Sequence, residues 1–171
     1  MDERIRNAQR GDREAFAAFA AEHYSAVYRF CARRIGVTDA EDATQESFIT
    51  AQRAIRGYTG ASRIETWLFG IANNVCRQLA RRRKLEMNTM RAWTPDPAPD
   101  GESTLVNREV LRNALAKLSD DHREVVMLHE VEGLAYGEIA DVLGVPVGTV
   151  KSRLHHAFLQ MRRHLGEGAT A

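Results

Sequence analysis

Three of the four prolines lie within five residues, in the segment 94–101, Thr-Pro-Asp-Pro-Ala-Pro-Asp-Gly. Proline has no backbone N–H to donate and disfavours helix in the residue before it, so no helix or central strand continues through this segment. The sequence therefore predicts a linker over residues 91–104. It divides the chain into an N-terminal part, 1–90, and a C-terminal part, 105–166, followed by a short tail, 167–171.

Apolar residues recur at spacings of three and four in both parts, and no alternating strand pattern of useful length occurs. An all-α protein of two small helical domains is the predicted fold. In the N-terminal part, Asp12 is a candidate cap for a helix that ends at Gly36. Thr38 and Ser62 are each followed three residues later by Glu, the spacing of a capping box, and predict the starts of two further helices.

In the C-terminal part, residues 105–118 predict one amphipathic helix with Leu111, Leu115 and Leu118 on its apolar side. Ser119 is the expected cap of a second helix. Gly133 is expected to end that helix in a left-handed conformation, which glycine adopts without a steric penalty.

The formal net charge of +1 is a sum of opposite local charges. Residues 1–60 are neutral, 61–91 carry +5, 92–148 carry −7 and 149–171 carry +3. Two basic segments flanking an acidic one are expected of a protein with two phosphate-facing surfaces. Solvated helix faces explain the same charges, and on charge alone this second explanation is favoured.

The sequence disfavours a membrane protein, a secreted protein, a metal-binding or cofactor-binding protein and an enzyme. No run of about 18 apolar residues exists and the N-terminus is charged, so we expect neither membrane insertion nor a signal peptide, and a cytoplasmic protein. The six His residues show no metal-ligand spacing, so no metal or other cofactor is expected, and Cys31 and Cys76 are expected to be buried free thiols. The sequence shows no catalytic carboxylate pair, nucleophile elbow or phosphate-binding glycine loop, so we predict that the protein is not an enzyme.

Residues 134–156 have the pattern of a helix-turn-helix. That motif needs a small residue where its helices touch, a glycine in the turn and an apolar anchor on the second helix, and Ala140, Gly144 and Val150 fill these roles. Pro146 suits the start of the second helix. Helix pairs with such a turn also occur as inert packing units, but the outward face here carries donors suited to bases and phosphates: Thr149, Lys151, Ser152, Arg153, His155 and His156.

Three motifs in order give the chain a resemblance to the extracytoplasmic-function sigma factors of the sigma-70 family. Residues 39–48 (Asp-Ala-Glu-Asp-Ala-Thr-Gln-Glu-Ser-Phe) resemble the polymerase-binding helix of region 2, and 66–74 (Thr-Trp-Leu-Phe-Gly-Ile-Ala-Asn-Asn) resemble its strand-separating segment. Residues 138–154 resemble region 4. The resemblance implies that 1–90 is region 2, and that 105–166 is region 4.

The resemblance also implies which residues meet promoter DNA. The outward face of the helix-turn-helix would lie in the major groove of the minus-thirty-five element. The unwound strand of the minus-ten element would be held by a loop and the basic helix after it, through Thr59, Gly60, Ala61, Ser62, Arg63, Asn74, Arg77, Gln78 and Arg81. His156 stands where arginine is frequent in the family, so a different or weaker base preference is expected there.

Protein partners are implied in the same way. Asp42, Gln45 and Glu46 match the family positions that bind the β′ coiled coil of core RNA polymerase. Without the motif, these residues would be read as plain solvated surface. Contact with the β flap, and inhibition by an anti-sigma factor, are expected as well.

The main alternative is a transcriptional regulator of the response-regulator output type, which uses a similar helix-turn-helix. Against it, residues 1–90 lack the alternating strands and helices of a receiver domain. Two aromatic residues carry less information. Trp67 has the spacing of a core residue, and Trp93 lies in the polar linker, where docking on a partner and simple exposure are equally plausible.

Overall fold

The computed structural model describes residues 3–87 and 105–168. The chain divides into two compact units, Met1–Ala92 and Trp93–Ala171. Within the described ranges all regular structure is helical, which confirms the predicted all-α fold. The proline-rich segment and Trp93 lie outside the described residues.

The first unit contains four helices: α1 (Glu3–Gln9), α2 (Arg13–Ile35), α3 (Val37–Ala54) and α4 (Ile64–Met87). A 3₁₀ turn, Ile55–Gly57, follows α3 directly. As predicted, the Asp12 carboxylate caps α2, accepting hydrogen bonds from the N–H groups of Glu14 and Ala15. The helix ends at Gly36, whose φ of 85° suits glycine.

The predicted caps of the next two helices are wrong. Helix α3 begins at Val37, so Thr38 lies inside it and Gly36 occupies the cap position without a side-chain hydrogen bond. The physical reason is that Gly36 alone separates α2 from α3, which leaves no room for a cap at residue 38. Helix α4 begins at Ile64, two residues after Ser62. The Ser62 carbonyl instead accepts a hydrogen bond from the Tyr58 hydroxyl.

The core of the first unit lies between α2, α3 and α4. The Phe30 ring of α2 stacks on the Phe69 ring of α4, with centroids 4.7 Å apart. Fully buried alanines on α3 let the neighbouring helices approach closely, because a methyl group fills little space. Along α3 and the 3₁₀ turn that follows it, four residues face this core and are buried: Ala43, Phe48, Ala51 and Ile55.

The second unit contains α5 (Leu105–Ala116), α6 (Asp120–Val126), α7 (Tyr136–Leu143) and α8 (Val147–Gly168). Ser119 caps α6 as predicted, by accepting from the N–H of His122. A π-helical stretch, Met127–Val131, extends α6, and Gly133 follows with a φ of 66°, in the predicted left-handed conformation.

The predicted apolar side of α5 is partly wrong. Leu111 is 46% exposed, whereas Ala114 and Leu118 are buried. The buried stripe is therefore rotated around the helix axis relative to the prediction, because leucine periodicity does not distinguish a packed leucine from an exposed one. The helix itself ends at Ala116, two residues earlier than expected.

Candidate functional sites

The helix-turn-helix forms from α7, a short turn and α8. Gly144 ends α7 in the left-handed conformation with a φ of 66°, and its N–H donates to the carbonyl of Ala140. Val150 is fully buried, and Ala140 is buried at 8% exposure. Pro146 immediately precedes α8, and its carbonyl accepts from the N–H groups of Thr149 and Val150. The roles predicted for Ala140, Gly144 and Val150 are thus the roles they have in the structure.

Ala135, at the start of α7, offers no side-chain cap. The Glu138 carboxylate partly compensates, because it accepts a hydrogen bond from the Ala135 N–H at 3.0 Å. One of the free donors at the helix N-terminus is therefore satisfied without a Ser or Thr.

The outward face of α8 presents most of the predicted residues to solvent. Lys151, Ser152, His155 and His156 are exposed, and Thr149 is half-buried. Arg153 differs from them. One of its terminal nitrogens lies 2.5 Å from a carboxylate oxygen of Asp121 on α6, and only 22% of its side chain is exposed. Arg153 therefore has a partner within its own unit.

Three imidazoles gather beside this face. The ring of His156 lies 6.3 Å from that of His122 and 5.6 Å from that of His155, measured between centroids. His122 comes from α6, so the packing of α6 on α8 helps to fix the orientation of His156 on the outward face.

In the first unit, an exposed loop of residues 59–63 precedes the basic helix α4. Thr59, Gly60, Ala61 and Arg63 are exposed and Ser62 is half-buried. On α4, four exposed side chains at spacings of three, one and three share one helix face: Asn74, Arg77, Gln78 and Arg81. The loop directly precedes α4, and the exposed polar face begins at Asn74, ten residues after the first residue of that helix.

The loop is anchored by two residues that the sequence analysis did not single out. The side-chain amide of Gln9 donates to the carbonyls of Ile55 and Tyr58, at 3.1 and 2.7 Å. The Tyr58 hydroxyl donates to the carbonyl of Ser62 at 2.6 Å. Burial, with a contribution from the negative charge of Glu65, raises the pKa of Tyr58, so this hydroxyl stays protonated at neutral pH.

Trp67 also belongs to this arrangement. Its ring lies 5.3 Å from that of Tyr58 and is half-buried, in keeping with its predicted place in the packing. A single aromatic residue within a loop of small and polar residues was the available sequence signal for Tyr58. For Gln9 no such signal exists, because its partners are backbone carbonyls.

Asn73 is a further residue that the sequence analysis passed over in favour of its exposed neighbour Asn74. It is 1% exposed, and among the described residues neither the oxygen nor the nitrogen of its amide has a hydrogen-bond partner. Leaving such a group unpaired is costly. Asn73 is therefore a candidate binding residue on α4.

Helix α3 carries a separate exposed row. Asp42, Gln45 and Glu46 are exposed as predicted, and Ile49 continues the row with 44% of its surface exposed. The sequence analysis missed Ile49 because an apolar residue on a helix is normally assigned to the core. At the start of α3, Asp39 forms an ion pair with Arg83 of the basic helix α4.

Neither a metal-binding cluster nor a membrane-spanning helix is found among the described residues. Across residues 3–87 and 105–168, no three His, Cys, Asp or Glu side chains are grouped so that they could hold a metal ion. Over the same ranges, no helix is both long enough and apolar enough to cross a membrane.

Comparison with known proteins places each unit in a described family. Residues 19–86 match the family model "Sigma-70 region 2", and residues 108–161 match "Sigma-70, region 4". The chain is 31% identical over 180 residues to the ECF RNA polymerase sigma factor SigW of Bacillus subtilis, covering 96% of both proteins. It is 34% identical over 154 residues to the ECF sigma factor SigC of Mycobacterium tuberculosis, covering 88% of this chain and 83% of that one.

Solved structures agree with these matches. A structure of the sigma factor RpoE in complex with the anti-sigma factor NepR from Bartonella quintana has a TM-score of 0.71 at 25% identity, and covers 88% of this chain and 96% of that one. CnrH in complex with the cytosolic domain of CnrY has a TM-score of 0.68 at 26% identity and covers 96% of both chains. The likeness spans both units and most of the length of each relative. The chain belongs to the extracytoplasmic-function sigma factors of the sigma-70 family.

Proposed function

We propose that this sigma factor binds core RNA polymerase through α3 and presents two surfaces to promoter DNA, one on each unit, without catalysing a covalent reaction. The observation that carries the proposal is that α4 and α8 each expose a donor-rich face, whereas the exposed row on α3 (Asp42, Gln45, Glu46 and Ile49) is acidic. Cationic faces attract phosphates, while an acidic face disfavours DNA and suits a basic protein partner. The sigma-factor relatives support this function over that of a response-regulator output domain.

The second unit is proposed to recognise the minus-thirty-five element. Helix-turn-helix proteins place their second helix in the major groove, which here brings α8 to the base edges. Lys151 is suited to guanine or phosphate, and Ser152 to bases of either kind. His155 and His156 extend the same face. The proposal also assigns contact with the β flap of the polymerase to this unit.

The first unit is proposed to hold the unwound non-template strand of the minus-ten element. Loop 59–63 and the α4 face offer an exposed donor surface to a single strand, and the unpaired amide of Asn73 lies on the same helix. Binding an unstacked base offsets part of the few kcal/mol that unpairing costs. Strand separation would then need no nucleotide hydrolysis by this chain.

Permanganate footprinting tests this assignment, because permanganate reacts with unpaired thymines. Replacing Arg77 and Arg81 together by alanine should weaken opening of the minus-ten region in the complete holoenzyme. A matched control is the pair Arg13→Ala and Arg29→Ala, two exposed arginines of α2. Unchanged opening in the Arg77 and Arg81 variant would reject the role of α4.

The polymerase surface is tested by charge reversal. Asp42→Arg should abolish co-purification with core polymerase, because the introduced positive charge would repel the basic β′ coiled coil. Circular dichroism should show an unchanged helix content, since Asp42 is exposed. Glu14→Arg on α2 is a charge-matched control. Full retention of polymerase binding by the Asp42 variant would refute the assignment.

The proposal includes an anti-sigma factor as regulator. One solved structure of the same fold is the sigma factor RpoE in complex with the anti-sigma factor NepR. An inhibitor that covers the acidic row of α3 would exclude the polymerase from this chain. Competition between a co-expressed anti-sigma candidate and core polymerase, measured by pull-down, checks this part of the proposal.

A further inference from the structure

Loop 59–63 is fixed at its start by the side chain of Gln9, on the short helix α1. The two carbonyls that accept from this amide belong to Ile55 and Tyr58, the first residue of the 3₁₀ turn and the residue just after it. The hydrogen bonds measure 3.1 and 2.7 Å and span 46 and 49 residues of sequence. Gln9 therefore determines where the chain leaves the turn and enters the loop.

A hydrogen bond also joins the two ends of the loop. The Tyr58 hydroxyl donates to the Ser62 carbonyl at 2.6 Å, and the Tyr58 ring packs against Trp67 in the second turn of α4. Between these points, Gly60 adopts a φ of 79° and the Ala61 N–H approaches the Thr59 hydroxyl at 3.4 Å. Both ends of the loop are thus held, while Thr59, Gly60 and Ala61 face solvent.

A loop ordered in advance binds more tightly than the same loop when it must become ordered on binding. Fixing the backbone of each residue costs conformational entropy, and a protein that has already lost this entropy on folding does not lose it again at the binding step. The hydrogen bonds made by Gln9 and Tyr58 therefore bear on the affinity of the loop for its ligand, even where neither side chain touches that ligand.

We infer that Gln9 and Tyr58 are positioning residues for strand capture: together they form a loop brace that holds residues 59–63 in their binding conformation before DNA arrives. The inference rests on the proposed function, in which this loop binds the unwound strand. Neither residue belongs to the DNA-facing set or to the acidic row on α3.

Two substitutions remove the brace with little change in shape. Gln9→Met keeps the length of the side chain and removes its donor. Tyr58→Phe keeps the ring against Trp67 and removes only the hydroxyl. Asn7→Met on the same helix and Tyr24→Phe on α2 are matched controls, because among the described residues neither side chain bonds to the loop.

The measurement is the affinity of the holoenzyme for a single-stranded oligonucleotide with the non-template minus-ten sequence, by fluorescence anisotropy. Tyr58→Phe, which removes one hydrogen bond, should bind about fivefold more weakly, and Gln9→Met, which removes two, should bind more weakly still. The double variant should lose less than the product of the two single losses, since either substitution releases the same loop. Affinity for core polymerase and for a duplex minus-thirty-five element should not change.

A merely structural role would give a different pattern. General destabilisation lowers the thermal midpoint of the first unit and weakens polymerase binding together with oligonucleotide binding. The inference is overturned if the brace variants bind the oligonucleotide as the parent does. It is also overturned if oligonucleotide and polymerase affinities fall in parallel.

A loop substitution separates failure of this inference from failure of the proposed function. Arg63→Ala changes the loop surface itself. If Arg63→Ala weakens oligonucleotide binding and the brace variants do not, the loop binds DNA but needs no brace. If Arg63→Ala also has no effect, the loop does not bind the strand, and the proposed function of the loop fails with the inference.

Discussion

At the scale of single residues, Lys151 and Arg153 show how two cations of the same helix can have different roles. They are two positions apart on α8, yet Lys151 is exposed and Arg153 donates to Asp121 of the neighbouring helix. To reach a phosphate, Arg153 must give up that interaction, whereas Lys151 gives up only water. The net gain on binding DNA is therefore larger for Lys151, even though arginine is the better donor to guanine.

This difference predicts that two alanine substitutions affect different properties, DNA binding for Lys151 and thermal stability for Arg153. Lys151→Ala should weaken holoenzyme binding to a minus-thirty-five duplex and reduce the slope of log affinity against log salt by about 1, with no change in stability. Arg153→Ala should change that slope less and lower the thermal midpoint of the second unit, because it leaves Asp121 without its ion pair. Titrations at several potassium chloride concentrations and thermal melts provide both readouts.

Lys117→Ala, an exposed cation just after α5, is the control for these measurements. Equal losses of salt slope for Lys151→Ala and Arg153→Ala would show that the pair with Asp121 opens at no cost, and would contradict the argument.

The two cysteines give a second prediction at this scale. Cys31 on α2 and Cys76 on α4 are buried free thiols, as predicted, and they hydrogen-bond to each other. That hydrogen bond, together with burial, raises the pKa of Cys76, while the same bond outweighs burial and lowers the pKa of Cys31. Because only a thiolate at the surface reacts quickly, burial should still protect both thiols in the folded protein.

Alkylation with iodoacetamide at neutral pH, followed by mass spectrometry, checks this expectation. The folded protein should remain unlabelled over a time in which the protein in denaturant acquires two labels. Labelling of either cysteine at the same rate in both states would show that the contact between α2 and α4 opens readily around these thiols.

At the scale of elements, the C-terminus of α5 depends on a side chain from the next helix. The guanidinium of Arg123 on α6 donates to the carbonyls of Leu115, Ala116 and Leu118, at 2.9, 3.2 and 2.8 Å. These are carbonyls at and just beyond the end of α5, where a helix leaves acceptors without partners. In addition to these three hydrogen bonds, Arg123 forms a salt bridge with Asp120 in the first turn of α6. One residue thus fixes the junction between α5 and α6.

Arg123→Ala should therefore destabilise the second unit by about 2 to 3 kcal/mol, since it leaves several partly buried carbonyls unpaired. Arg123→Lys should recover only a small part, because an ammonium cannot match the fork of a guanidinium. Urea titration followed by circular dichroism measures both changes. Lys117→Ala serves as the control, and a loss as small as the control's would show that water replaces the guanidinium without cost.

The elements also show what sequence alone can predict. Local chemistry predicts the helix positions and the caps at Asp12 and Ser119. It also predicts the left-handed conformation of Gly133 and the place of Gly144 in the turn. The structure confirms each of these. The caps assigned to Thr38 and Ser62 are wrong because the length of a connection depends on how the helices pack. A motif cannot supply that information.

Some residues of the candidate sites are indicated by sequence patterns, whereas others depend on contacts that only the fold provides. The sequence could indicate the α8 residues through the helix-turn-helix pattern, and those named on α3 and α4 through the resemblance to sigma factors. The pairing of Arg153, the brace residue Gln9 and the unpaired amide of Asn73 depend on contacts between distant segments. No local pattern in the sequence distinguishes these residues from their neighbours.

At the scale of the whole molecule, the chain consists of two compact units. Each unit has its own buried core: Phe30 and Leu68 belong to the first, and Ile139 and Val150 to the second. Start-site selection nevertheless requires both promoter elements to be read by the same molecule. The covalent connection between the units therefore raises the effective concentration of the second unit once the first is bound.

Separate expression of residues 1–92 and 93–171 tests this division. Each fragment should give its own cooperative thermal transition, because each retains its core, and the first should still bind core polymerase through α3. Neither should direct run-off transcription alone, and a mixture at micromolar concentration should fall far short of the intact chain, since the covalent connection provides an effective concentration of about a millimolar. If the mixture transcribes as well as the intact chain, the units associate without their connection. If the first fragment melts without cooperativity, its core is not independent of the second unit.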